Sequence, residues 1–546
     1  MTALRRGRRS VASALRAAAI ALAALGAAGA FGADPGAAPR SAPPATVQSP
    51  GVARLHADGK PLWLDASGQA GASARDALAL LANAAADGLD PDAYGAASLA
   101  SRAMGLASAS PEARLAWDAE LSGALLRYLR DLRFGRVDPQ ALGFHVSPRN
   151  DKEPDFAALL AAAARSGRVA ELAKELAPGL VQYRELRDVL ARYRRIATDM
   201  PHAPLAAASL PLRPGDAFAG AQALRDRLAA LGDLPAGAQA SAAAGYDAAL
   251  AAGVARFQAR HGLAADGVLG KATLAALNVP IAQRIVQIGF GLERLRWLPP
   301  PGGGRIVAIN IPMFRLWAWD DVTRDAHPAL AIDVIVGRAL KSQTPVFADQ
   351  MRYLVFRPYW NVPRSITRNE TLPAIARDPG YLAKNRMEIV QGESDAARVL
   401  PATPESVALL RDGAARVRQR PGPDNSLGLV KFIFPNDANI YLHGTPAQSL
   451  FGRSRRDFSH GCVRVADPVA LAAWLLHDQP QWTRERIVAA MEASASQRVN
   501  LKQPVPVLLY YVTAMVSPED GSLHFADDIY GLDAKLARAL AAPRAQ

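Results

Sequence analysis

Apolar positions recur at three- and four-residue spacing through the first third of the chain. "ARDALALLANAAADGLD" (74–90), "DAELSGALLRYLRDLRFGRV" (118–137), "AALLAAAARSGRVAELAKELAP" (157–178) and "YRELRDVLARYRRIA" (183–197) all carry this helical period. They predict an α-helical scaffold domain over residues 61–205. A second helical unit, 206–282, holds "AQALRDRLAALGDLP" and "YDAALAAGVARFQARHGLAADGVLGKATLAALNVP". These predict three helices with a Gly/Asp loop before the last. From Arg305 the period shortens. "RIVAINIP", "FRLWAWDD", "ALAIDVIVG" and "MRYLVFRPYWNVP" are short, β-branched and aromatic, and are broken by Pro, Gly and Asp. They read as strands. Residues 364–425 read as a helical insertion, after which "GLVKFIFPN" and "NIYLHG" return to strand character. The expected fold class is therefore multidomain α+β. It comprises a helical scaffold, a three-helix module and a mainly-β catalytic domain (303–480) with a helical capping insertion. A C-terminal extension, 481–546, is expected to pack on that domain.

The ends of the pattern differ. Residues 1–30 open with Arg5, Arg6, Arg8 and Arg9, then an uncharged Ala-rich run, then Ala28-Gly29-Ala30. That order reads as an export signal, cleaved or kept as an N-terminal anchor. Residues 31–60 are expected to be a flexible Pro/Ala/Gly/Ser linker. A periplasmic location follows as the expectation, with the membrane reached only through an uncleaved anchor. Formal net charge is +13. This favours an anionic partner, and outside the cytoplasm an envelope polymer fits better than nucleic acid.

Export makes the cysteine content informative. Cys462 is the only cysteine in the 546 residues, so no internal disulfide can form. It lies in "YLHGTPAQSLFGRSRRDFSHGCVRV" (441–465), near His443 and His460. An imidazole can take a thiol's proton, and that predicts a lowered thiol pKa and nucleophilic acyl transfer. Gly461 permits a tight turn that aims amides at a developing oxyanion. A lone cysteine is more often a small buried apolar residue. The cluster argues against that here. The combination Ser-x-x-Lys with Lys-Thr-Gly is absent, as is His-Glu-x-x-His, which disfavours a penicillin-binding serine enzyme and that class of metallopeptidase. No metal or organic cofactor is expected.

The segment resembles the L,D-transpeptidases of bacterial cell-wall assembly. His443, the spacer 444–458, then Ser459-His460-Gly461-Cys462-Val463-Arg464 follow that family's signature. "NIP" (310–312), "VIVG" (334–337), "TPVF" (344–347), "PYWNVPRSI" (358–366) and "RQRPGPDNSLGLVKF" (418–432) are similar to its scaffold-bearing periplasmic subfamily. The 206–282 unit resembles a peptidoglycan-binding module through Leu224, Leu228, Tyr246, Phe257, Gln258, Asp266, Gly267 and Thr273. The resemblance implies Cys462 as nucleophile, His443 as general base, and the Gly444 carbonyl orienting the imidazole. It also implies an oxyanion hole near Gly461 and Cys462. Tyr441 and Trp360 would line the donor groove. Ser459 and His460 would shape the turn, and Arg464 would support the loop or meet a substrate carboxylate. Arg453, Arg455 and Arg456 are candidate carboxylate binders in their own right.

The implied reaction joins the third, diamino-acid residues of two peptidoglycan stem peptides and expels D-alanine. Stem peptides and glycan are the implied partners, with other cell-wall synthases as further candidates. Carbapenems are implied to acylate Cys462. An L,D-carboxypeptidase, a protein-to-peptidoglycan ligase or hydrolase, and a non-catalytic wall-binding protein stay open as alternatives.

Overall fold

The computed structural model describes residues 49–542 apart from 147–152, 201–202, 208, 236–244, 300–301, 326, 340–341, 393 and 395. The expected signal, and the linker up to residue 48, lie outside these residues. Among the described residues no helix is long and apolar enough to cross a membrane.

The scaffold is organised by one long helix, Pro111–Phe134, which buries Trp117, Leu121, Leu125, Tyr128 and Leu129. Ser110 caps it by accepting from the Ala113 amide, Pro111 opens the first turn, and Gly135 ends it. Helices Ala72–Ala82, Phe156–Ser166 and Val169–Leu176 pack around it and share its core. A short helix, Pro50–Leu55, also packs on it. That helix falls within the stretch 31–60 read as flexible. Ser49 caps it and Val52 is buried, and one apolar residue gives too weak a period to be seen in sequence. Helix Val181–Asp199 buries Tyr183, Leu186, Leu190 and Tyr193 in the large core shared by the three-helix module and the catalytic sheet, while Tyr183 and Arg187 also reach Asp87 of the scaffold. Periodicity fixes the helix; it does not say which core receives the apolar face.

Helix Ile281–Trp297 is the spine between units. It packs on Val181–Asp199, and its buried Glu293 accepts the Val137 amide at 3.0 Å. Arg294 pairs with Asp533 near the C-terminus. In the three-helix module (Ala221–Leu231, Ala248–Arg260, Lys271–Leu277) the Gln258 amide donates to Asp266, Val268 and Thr273. Tyr246 donates to the Gly267 carbonyl at 2.6 Å. The residues that carried the resemblance thus hold the turn.

The strands of the described residues, in chain order, are β1 (Ile306–Asn310), β2 (Arg315–Trp319), β3 (Leu330–Gly337), β4 (Phe347–Phe356), β5 (Trp360–Asn361), β6 (Met387–Gln391), β7 (Arg398–Leu400), β8 (Arg416–Gln419), β9 (Val430–Ile433), β10 (Leu442–His443), β11 (Asp457–Ser459), β12 (Val463–Val465), β13 (Gln497–Tyr510), and a separate pair, β14 (Ala514–Val516) and β15 (Leu523–Phe525). Nine of them form one sheet in the order β11-β3-β12-β10-β9-β4-β13-β1-β2. Because β2 also pairs with β3, the sheet closes on itself and few strand edges remain open.

Strand β13 corrects the expected C-terminal extension. It sits inside the sheet, antiparallel to β4 and parallel to β1, with Val507, Leu508 and Leu509 buried. An apolar run without alternation, "VPVLLYYV", is what a strand covered on both faces requires.

The insertion also departs from expectation. It is not helical throughout, because β5-β8-β6-β7 form a four-stranded sheet of their own. That sheet and its helices close a small core of Val362, Leu382, Ile389, Leu410 and Val417. "MEIVQ" and "RVRQ" are too short and too charged to announce strands.

Leu509 has no exposed surface. Leu509→Ala should lower stability by about 2–5 kcal/mol, read as a fall in denaturant midpoint. An unchanged midpoint would contradict an interior β13.

Candidate active site

Two very short strands build the site. Strand β10 ends at His443, and β12 begins one residue after Cys462. They pair in parallel, with Leu442 opposite Val463 and His443 opposite Arg464. The Val463 amide donates to the Tyr441 carbonyl at 3.1 Å, fixing the register beside the thiol. The loop between them returns the chain through β11, which pairs with the end of β3.

The imidazole is set from below. His443 is buried, and its Nδ1–H donates to the Gly444 carbonyl at 2.5 Å. That leaves Nε2 as the proton acceptor. The Gly444 carbonyl is held because the Gly444 amide donates to Val430. Gly428 lies directly against it at φ +65°, where an added Cβ would come within 2.6 Å of the Gly444 carbonyl carbon. Only glycine fits that crossing.

The turn that carries the thiol is tied internally. Ser459 Oγ accepts from the Gly461 amide at 3.2 Å and donates to the Cys462 carbonyl at 2.5 Å. Gly461 takes φ +116°, in the left-handed region that favours glycine. The Gly461 carbonyl accepts from Thr344 Oγ1 at 2.7 Å, and Thr344 Oγ1 accepts from the Gly337 amide at 2.9 Å. Tyr530, far along the chain, donates to the Gly337 carbonyl at 2.6 Å and accepts from the Thr344 amide at 3.1 Å. The Gly461 amide is engaged by Ser459 in this structure, and the left-handed backbone of Gly461 makes the turn.

Cys462 is half-buried, and its thiol points at the Asn439 carbonyl, 3.7 Å away. No hydrogen bond joins it to His443 among the described residues. Burial pushes the Cys462 thiol up, against the downward pull of the Tyr441 amide and phenol and of the Arg464 charge. His443 is pulled down to about 3, first by burial and then by the Arg464 charge. The sequence-based expectation of a lowered thiol pKa is thus reversed. At neutral pH both groups are uncharged, because the same enclosure that brings them together penalises an ion pair.

The other expected residues scatter. Tyr441 acts on the sulfur itself. Trp360 lies on β5 and packs against the insertion's core. Arg464 is largely enclosed, and its Nε has no hydrogen-bond partner among the described residues. Arg453 lies over the Phe458 ring at 5.6 Å. Arg455 chelates Asp457 with bonds of 2.7 and 3.0 Å. Arg456 bonds Asp333 at 2.9 Å and the Phe314 carbonyl at 3.1 Å, fastening the loop to β3. Arg455 and Arg456 border a cavity of about 320 Å³ whose lining includes neither Cys462 nor His443. His460 Nε2 meets Glu370 of the insertion at 2.7 Å. Sequence reasoning missed Asn439, Glu370 and Tyr530, which carry no motif. Thr344 lay in a quoted segment without a role.

A model of the "L,D-transpeptidase catalytic domain" matches residues 304–516. The chain carries an L,D-transpeptidase catalytic domain. A "Scaffold domain" model matches residues 55–190, and a "Putative peptidoglycan binding domain" model matches 219–277. Among curated proteins, a "Putative L,D-transpeptidase" of Haemophilus influenzae is 33% identical over 250 residues, covering 46% of this chain and 48% of that protein. The chain spans about half the length of that relative.

The neutral resting pair has a measurable consequence. Above a pKa of about 3 His443 is already a free base, so its titration should leave no inflection near neutrality. The thiolate fraction should keep rising with pH, with no plateau below about 9. Alkylation of Cys462 by iodoacetamide across pH checks this, and Tyr441→Phe should move the curve further upward. A plateau reached at neutral pH would contradict it.

Proposed function

We propose that this protein is a periplasmic peptidoglycan L,D-transpeptidase. It would join the third residues of two stem peptides through a Cys462 acyl-enzyme. The observation that carries the reading is the parallel pairing of β10 with β12, which brings His443 opposite Arg464, two residues beyond the single thiol. The matched catalytic domain and peptidoglycan-binding domain support the substrate class.

The donor's third-residue carbonyl enters beside Cys462 as the thiol leaves the Asn439 carbonyl. Sulfur attacks while its proton passes to His443 Nε2. Neither group is charged beforehand, so charge develops only with the transition state. Tyr441 and Arg464 favour negative charge at sulfur. The Cys462 amide takes the oxyanion, since Ser459 engages that of Gly461. The tetrahedral intermediate collapses, the C–N bond to D-alanine breaks, and His443 returns its proton to the leaving amine. Arg464, charged and with no partner at Nε among the described residues, takes a donor carboxylate. The diamino-acid amine of a second stem then attacks the thioester, forming the amide and releasing Cys462.

Incubation with a disaccharide-tetrapeptide, followed by mass spectrometry, tests this. The expected product is a dimer that has lost one D-alanine, absent with Cys462→Ala. A monomer shortened by one alanine would make the protein an L,D-carboxypeptidase instead. No product with either protein would favour a wall-binding role.

A further inference from the structure

The site holds two histidines, and the chemistry above uses one. His460 stands two residues before Cys462, at the start of the turn that Gly461 makes possible. Its side chain is 34% exposed, and its Nε2 contacts Glu370 Oε1 at 2.7 Å across 90 residues of chain. Glu370 lies on a single π-helical turn, Thr367–Thr371, which buries Thr367 and Thr371 and exposes Arg368, Asn369 and Glu370. Such turns are rare and recur at functional sites. A carboxylate accepts, so Nε2 carries the proton and the lone pair of the neutral ring is left on Nδ1.

We propose that His460 and Glu370 form a second proton-transfer pair, serving the acceptor amine in the second half-reaction. This rests on the transpeptidase reading. An alkyl amine arrives at neutral pH as an ammonium, with no lone pair to attack with. His460 Nδ1 takes one proton, and Glu370 stabilises the imidazolium. The free amine then attacks the thioester carbonyl. The C–N bond forms, the C–S bond breaks, and the electron pair leaves on sulfur. The second amine proton reaches that thiolate through His443, which restores the thiol, and the proton on His460 goes to solvent. His443 is unsuited to the first of these transfers because it is buried away from the solvent from which the ammonium arrives. His460 is open to solvent and backed by a carboxylate. Glu370 is a positioning residue here, acting through His460. Removing the ammonium proton creates an amine that is a stronger nucleophile than water, so the pair favours amine over water as acceptor.

The test separates the half-reactions in the purified full chain. Intact mass follows acylation of Cys462 by the disaccharide-tetrapeptide, and product analysis gives the ratio of cross-linked dimer to hydrolysed monomer. Glu370→Gln and His460→Gln should each lower that ratio about tenfold relative to wild type, well beyond any change in acylation rate. Glu370→Asp should restore part of it. An unchanged ratio in both variants would overturn the proposal. So would acylation falling as far as transfer, which would make the pair a structural tie. If wild type forms no acyl-enzyme at all, the transpeptidase reading itself fails, and this inference fails with it.

Discussion

The parallel pairing of β10 with β12 is the constraint on which the site depends. Each contributes two or three residues, and neither could hold a register alone. Their neighbours hold it for them. Strand β9 pairs with β10 on one side and β3 with β12 on the other. Those strands are clamped in a closed sheet whose interior is apolar. A histidine nineteen positions before a cysteine in sequence is thereby set on the strand next to the one that follows that cysteine.

The same enclosure sets the chemistry. Burial raises the thiol and lowers the imidazole, so neither Cys462 nor His443 carries a charge at rest. Activation then belongs to the moment of attack. Groups that favour charge at sulfur surround the thiol without ionising it: Tyr441 with two donors and Arg464 with its charge. An uncharged thiol is also less open to oxidation than a standing thiolate, which suits a protein read as exported.

Much of this was legible in the sequence. The strand runs, the helical scaffold, the three-helix module and the His443–Cys462 spacing all announced themselves through period or motif. What stayed hidden had physical reasons. The insertion's strands are short and charged, so their alternation is faint. The interior position of β13 depends on a crossover that no local pattern records. Val181–Asp199 shows its apolar face but not the partner of that face. Arg455 and Arg456 look like free cations in a list of residues, and become tied ones only when Asp457 and Asp333 arrive from the fold. The sign of the thiol's shift needed burial, which a sequence does not display. Tyr530 and Glu370 act at the nucleophile's turn from far along the chain, where no spacing rule reaches.

The central claim is that Cys462 rests as a neutral thiol and gives its proton to His443 during attack. The most direct measurement is the rate of single-turnover acylation of Cys462 by a tetrapeptide donor in H2O and in D2O, across the pH plateau. A proton in flight predicts slower acylation in D2O. An equal or faster rate in D2O would mean that the thiolate exists before the donor reacts, and would contradict the account.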